Sequence, residues 1–162
     1  MSTKTEIIQL YQALKKLGNL SGVKFAYAVS KNINLIEPEI KSFEKALEAS
    51  DEFTKFEEKR MALVEKFAKK DEKGEKLIKN NEYEIEDLEQ FNKEFEALKE
   101  ENKEVYDARQ KQIDEYNDLL KSESTLELHK ISISDVPQNI TVSQMTSISS
   151  LVTEETPSPY NK

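Results

Sequence analysis

The sequence predicts a mainly α protein. A long antiparallel helical hairpin, coiled-coil-like, carries a small β-hairpin at its tip, with a short helix, a strand and a C-terminal helix packed at its open end. Three observations predict this. Leu88, Phe91, Phe95, Leu98, Asn102, Val105, Arg109, Gln112, Tyr116 and Leu119 recur at alternating threes and fours, the heptad seam of a helix that packs on another helix. Ile33, Ile36, Ile40, Phe43, Leu47, Ala49, Phe53, Phe56, Arg60, Leu63 and Phe67 carry a matching stripe. With a turn near Asn80 and Asn81, Phe67 falls opposite Phe91, Leu63 opposite Phe95, Phe53 opposite Val105 and Phe43 opposite Tyr116, so two stripes read independently close in register.

Taken in order, Thr3 and Glu6 fit a capping box, and Ile7, Ile8, Leu10, Tyr11, Leu14 and Leu17 form the apolar face of a first helix ended by Gly18. Asn19–Gly22 is a turn. Val23–Val29 is apolar on most sides and is expected to be buried on several, beneath the first helix and the C-terminal segment. Pro38 predicts a kink near Asn34 or a fresh helix start, since proline lacks the N–H that bonds one turn back. The stripe slips between Leu47 and Phe53, which predicts a local change of winding. The first arm is expected to end near Lys70.

Around Asn80 and Asn81, polar and apolar residues alternate; asparagine tolerates positive φ, so a two-stranded hairpin with a tight turn is expected. Asp87 and Gln90 form a capping signal that opens the second arm, which runs to Lys121–Ser124. Thr125–Ile133 alternates as a strand with Leu126 and Leu128 inward and Glu127 and His129 outward, ended by Pro137. Thr141 and Gln144 cap a final small helix with Met145, Ile148, Leu151 and Val152. Residues 1–152 are thus expected to form one elongated domain, with 1–35 and 122–152 as its base and 36–121 as the hairpin, and Thr153–Lys162 as a flexible tail.

Charged residues make up 35% of the 162-residue chain, which suits a highly solvated helical protein. There is no cysteine, so disulfides and thiolate metal sites are excluded. No run approaches the ~20 apolar residues of a membrane span, and the N-terminus lacks the pattern of a secretory signal. A soluble protein retained in the cytoplasm is expected. The net charge of −8 argues against direct nucleic-acid binding, which needs a basic footprint.

Few groups suit catalysis. His129 is the sole histidine and is expected to be a packing side chain, because no second histidine exists to share a metal. Nucleophile elbow, phosphate-cradling loop and His-Glu-x-x-His are all missing. Asp71–Glu75, with Lys73 set among its acids, does not fit a calcium loop. The chain is expected to be no enzyme, with no catalytic residue, cofactor or metal.

Charge is more informative. Glu82–Glu104 holds ten acidic and three basic residues, while Glu65–Lys79 holds six lysines against four acids. In an antiparallel hairpin these segments are neighbours, so the plain expectation is internal pairing, with acids also favoured at a helix N-terminus. The sharper one is an acidic face with Glu94, Glu96, Glu100 and Glu101 as the partner-binding candidates. Asn102, Arg109 and Gln112 interrupt the second stripe, either to fix register or to mark where another chain packs; long amphipathic arms of this kind also suit a homo-oligomer.

The run Phe25–Asn32 followed by Ile36–Glu39, the turn segment Asn80–Asp87, and Leu128–Ile131 with Asp135–Pro137 resemble a family of small helical proteins encoded by phages and prophages of low-GC Gram-positive bacteria. The resemblance covers about residues 20–152. Its motifs punctuate structure and carry no chemistry, so no functional residue transfers. It implies a viral setting: the host cytoplasm or the virion, and assembly or contact with a host protein. The expected function is a non-enzymatic interaction or assembly protein. The alternative is an acidic inhibitor of a host nuclease or nucleic-acid-binding defence protein.

Overall fold

A computed structural model describes residues 2–154. Mainly helical architecture and the small β-hairpin are as the periodicity predicts. The helices are α1 (Lys4–Lys15), α2 (Val23–Ala46), α3 (Asp51–Phe67), α4 (Leu88–Glu101), α5 (Lys103–Lys121) and α6 (Val142–Ser147). Four two-residue strands pair as β1 (Ile78–Lys79) with β2 (Glu82–Tyr83), antiparallel, and β3 (Ile131–Ser132) with β4 (Val152–Thr153), parallel. The chain divides into two compact units. One combines the segments up to Ala46 and from Tyr116 onward; the other is Leu47–Glu115. The boundary therefore falls inside α5.

The terminal unit has the larger core. Ile7, Leu10, Leu14 and Leu17 from α1 and the turn after it meet Phe25, Ala28, Val29 and Ile36 of α2, and Ile131, Ile148 and Leu151 close the cluster. Helical spacing on α1 and α2 puts these residues on one stripe each. Thr3 caps α1 reciprocally with Glu6, and Thr141 caps α6 reciprocally with Gln144. The start of α1 is laced to the end of α5: Lys4 N–H donates to Ser122 O at 3.0 Å and Thr5 Oγ1 to Leu120 O at 3.1 Å.

Three expectations for this unit need correction. Val23–Val29 is not buried all round: Val23 and Tyr27 are 90% and 62% exposed, and only Phe25, Ala28 and Val29 of the segment face inward. Pro38 neither ends nor restarts the helix. It lies inside α2 at an exposed position, and the carbonyl it deprives of an N–H donor one turn back belongs to exposed Asn34. Within the predicted strand Thr125–Ile133 only Ile131 and Ser132 pair, and they pair with Val152 and Thr153 rather than with a neighbour in sequence. The predicted tail therefore begins as a strand at Thr153, and its remainder from Glu155 lies outside the described residues.

Asn32 ties the segment before Ile131 to α2 at His129. It is fully buried, and its Nδ2 donates to His129 O at 2.8 Å while its Oδ1 accepts from His129 N–H at 2.7 Å. The side-chain amide does what a neighbouring strand does, offering one donor and one acceptor to one residue. Lys31–Asn34 lies within the uninterrupted α2.

Residues Leu47–Glu115 hold α3, the β1–β2 hairpin, α4 and most of α5. Asn80 and Asn81 both take positive φ, 53° and 65°, the pairing of a tight primed hairpin turn. A third segment joins this tip: Lys69 N–H donates to Glu84 O at 2.7 Å, Leu77 N–H to Lys69 O at 2.8 Å and Glu86 N–H to Phe67 O at 2.9 Å. A hairpin of two short strands alone is marginal; the extra rung ties it to the end of α3. Asp87 Oδ1 accepts from Gln90 N–H and caps α4.

Neither predicted arm is one helix. The first breaks at Leu47–Ala49, and α3 restarts on Ser50, whose side chain accepts from Phe53 N–H. The second breaks at Asn102, at φ −117° and ψ 29°. There the side chain donates to Leu98 O at 2.8 Å, the local bond by which asparagine competes with a helix ladder.

Candidate functional site

The α3–α4 seam is antiparallel and in the predicted register at its tip. Phe67 and Phe91 meet edge to face with centroids 6.0 Å apart, Phe91 stacks on Phe95 at 5.9 Å, and farther back Phe56 meets Tyr106 at 5.9 Å. At the far end Phe53 and Val105 line one cavity with Arg109, whose guanidinium covers the Phe53 ring at 5.3 Å. Two helices share only one interface, so each seam residue is covered on one side. Among the apolar residues of this unit Phe56 and Ala68 are buried, whereas Phe53, Leu63, Phe67, Phe91, Phe95, Leu98 and Val105 remain half-buried. Lysine stems partly cover the rings: Lys66 Nζ lies 4.9 Å from the Phe67 centroid, and Lys99 Nζ lies 5.1 Å from Phe95 and 5.7 Å from Tyr106.

Arg109 and Gln112 have a structural task that periodicity does not reveal. Arg109 Nη1 donates to Leu47 O at 2.8 Å and to Gln112 Oε1 at 2.7 Å, and Gln112 Nε2 donates to Glu48 O at 3.0 Å. Breaking the helix before α3 frees carbonyls at Leu47 and Glu48, and these two side chains take them. The stripe slip and the polar seam residues are therefore two halves of one feature.

The four candidate glutamates do not share a face. At about 100° per residue, Glu94 and Glu101 fall together on α4, while Glu96 and Glu100 fall together on nearly its opposite side. Glu94 pairs with Lys66 across the hairpin at 2.6 Å, and also accepts from Gln90 Nε2. The hydrogen bond from Lys66, helped by Gln90, holds the Glu94 carboxyl below the usual 4.5. Glu96 pairs with Lys99 at 2.5 Å and raises the lysine's pKa, and Glu100 lies 4.0 Å from Lys103. Glu94 and Glu101 line one side of a groove of about 430 Å³ between α3 and α4, with Lys59 and Lys66 on the other side. Ala62, Leu63, Ala97 and Leu98 form its apolar floor.

His129 belongs to the terminal unit. Its ring meets Tyr27 edge to face at 6.0 Å, and Lys31 Nζ lies 3.5 Å from its Nδ1. Tyr27 and His129 line a shallow cavity of about 320 Å³ with Val23, Lys24 and Asp135, the last two ion-paired at 3.4 Å. Asn32 fixes the His129 backbone, so the ring's position follows from the fold.

Among the described residues no group of three or more His, Asp or Glu side chains is placed to hold a metal ion, and no helix is long and apolar enough to cross a membrane. No family model, curated protein or solved structure matches the chain.

Proposed function

We propose that the protein acts by binding other proteins, without catalysis, and that the Leu47–Glu115 unit is its contact surface. One observation carries this reading: the two-helix seam leaves a continuous set of apolar side chains half-buried beside a charged rim. A helical layer open on one side is the form that receives a partner helix. The phage setting, as an interaction or assembly protein in the host cytoplasm or the virion, rests on the sequence resemblance alone.

The test is affinity purification of the full chain from infected host cells, compared with Ala62→Glu/Ala97→Glu, which fills the groove floor with charge. The expected result is a defined protein recovered with the parent chain and lost with the variant. Equal recovery with a correctly folded variant, or turnover of a substrate by the purified chain, would defeat the reading. The alternative, an acidic inhibitor of a host nucleic-acid-binding protein, has less to draw on, since Glu94, Glu96 and Glu100 each have a lysine beside them. It requires that reversing Glu96 and Glu100 to lysine abolish binding.

A further inference from the structure

The α3–α4 groove has a charge pattern that specifies an occupant. Lys66 lies opposite Glu94, 2.6 Å across the rim. Two turns along the hairpin, Lys59 and Glu101 take the equivalent places, seven residues earlier on α3 and seven later on α4. One rim is therefore positive and the other negative, at matched spacing. Between them each helix contributes one alanine and one leucine to the lining, Ala62 and Leu63 from α3 and Ala97 and Leu98 from α4. Small residues let a second layer approach closely, and the leucines supply knobs for it.

We infer that this groove is the interface of a homodimer in which two copies of the α3–α4 layer stack face to face as a four-helix arrangement. The inference deepens the reading of this unit as a contact surface and names a second copy of the chain as the occupant.

The charges also select the symmetry. Two two-fold axes can stack two hairpins through one face. An axis perpendicular to the hairpin, within the layer, puts α3 over α3, with lysine over lysine and glutamate over glutamate. An axis along the hairpin puts α3 of one copy over α4 of the other. Lys59 and Lys66 then sit over the partner's Glu101 and the partner's Glu94, and the reciprocal pairs form by symmetry. Only the second arrangement is complementary. The chain carries a net charge of −8, which opposes self-association in general, but the groove is lined by two lysines and two glutamates and is locally neutral. A foreign acidic or basic helix would meet one favourable rim and one repulsive rim; a second copy meets two favourable ones.

Lys59 and Glu101 make the test clean, because neither has an ion-pair partner among the described residues. Reversing them leaves the Lys66–Glu94 pair intact. Sedimentation velocity of the full chain, from low micromolar to several hundred micromolar, should show a dimer. Lys59→Glu and Glu101→Lys should each weaken self-association by ~10-fold or more, from like charges set face to face. An equimolar mixture of the two should regain association as a heterodimer, because each then meets its opposite. Circular dichroism on each variant establishes that helicity is kept; should either lose it, Lys59→Gln and Glu101→Gln are expected to weaken self-association in the same direction. A parent chain that is monomeric throughout, variants that dimerise as tightly as the parent, or a mixture no tighter than its components would overturn the dimer. A monomer that still loses a foreign protein on Ala62→Glu/Ala97→Glu would overturn the dimer and leave the contact-surface reading standing.

Discussion

Asn32→Ala tests the logic of the terminal unit most directly. The parent side chain is fully buried and exchanges two hydrogen bonds with the backbone of His129, at 2.8 and 2.7 Å. Alanine removes both and leaves a part-buried N–H and a part-buried C=O with no replacement. Each lost bond is worth ~1 kcal/mol net, and stranding its partner away from water adds to that, so the expected loss is about 2–4 kcal/mol. For a unit of this size the corresponding fall in Tm is roughly 10–20 °C. Asn34→Ala is the control: same helix, same residue type, exposed. It should be neutral or stabilise by up to ~0.7 kcal/mol through helix propensity. Asn32→Asp keeps the shape but loses the donor that faces His129 O, so it should behave like alanine at neutral pH. Chemical denaturation gives the energies, and amide exchange at His129 gives the local effect. An Asn32→Ala protein within about 0.5 kcal/mol of the parent, with His129 still protected, would show that water or a shifted strand replaces the amide, and the account of this segment would fail.

Arg109→Met should destabilise the Leu47–Glu115 unit by about 1–3 kcal/mol in urea melts, because Leu47 O loses its donor; a neutral result would mean that solvent already satisfies it. At the tip, Asn80→Ala and Asn81→Ala should each cost roughly 1–2 kcal/mol, the penalty of left-handed backbone, whereas Asn81→Gly should cost nothing; faster exchange at the Glu84 amide reports the alanine effect. The Lys66–Glu94 pair makes a pH prediction. A carboxyl held below its ordinary value stabilises the fold above the unfolded titration range, and that contribution is lost as pH falls through the folded value. The effect is therefore confined to acid below about 4.5, and Lys66→Met should move the Glu94 midpoint up toward 4.5 in an NMR titration; an unmoved midpoint would exclude the pair.

Much of the chain was legible because its signals are short in range. Thr3 with Glu6, Asp87 with Gln90 and Thr141 with Gln144 bond across three residues, so each cap is readable from a local pattern that directly precedes an apolar helical stripe. Asn80 and Asn81 announce their turn in the same way. The Phe67–Phe91 contact was readable because a tight turn lies between two periodic stripes and leaves little freedom of register. The candidate glutamates were legible as charge but not as a surface, since a run of acids along a helix wraps around it and only the neighbouring helix decides which of them share a rim.

What the sequence by itself determined is the helical class, the starts of α1, α4 and α6, the tip turn and the pairing of α3 with α4. Only the tertiary structure decided the rest. That Asn32 serves His129, that Arg109 and Gln112 close a break sixty residues away, and that Ile131 pairs with Val152 are contacts between distant segments. A buried amide or guanidinium looks the same in a one-dimensional pattern whatever it bonds. Its partner is set by which carbonyls the folded chain leaves unpaired nearby, and that is known only once the backbone is in place.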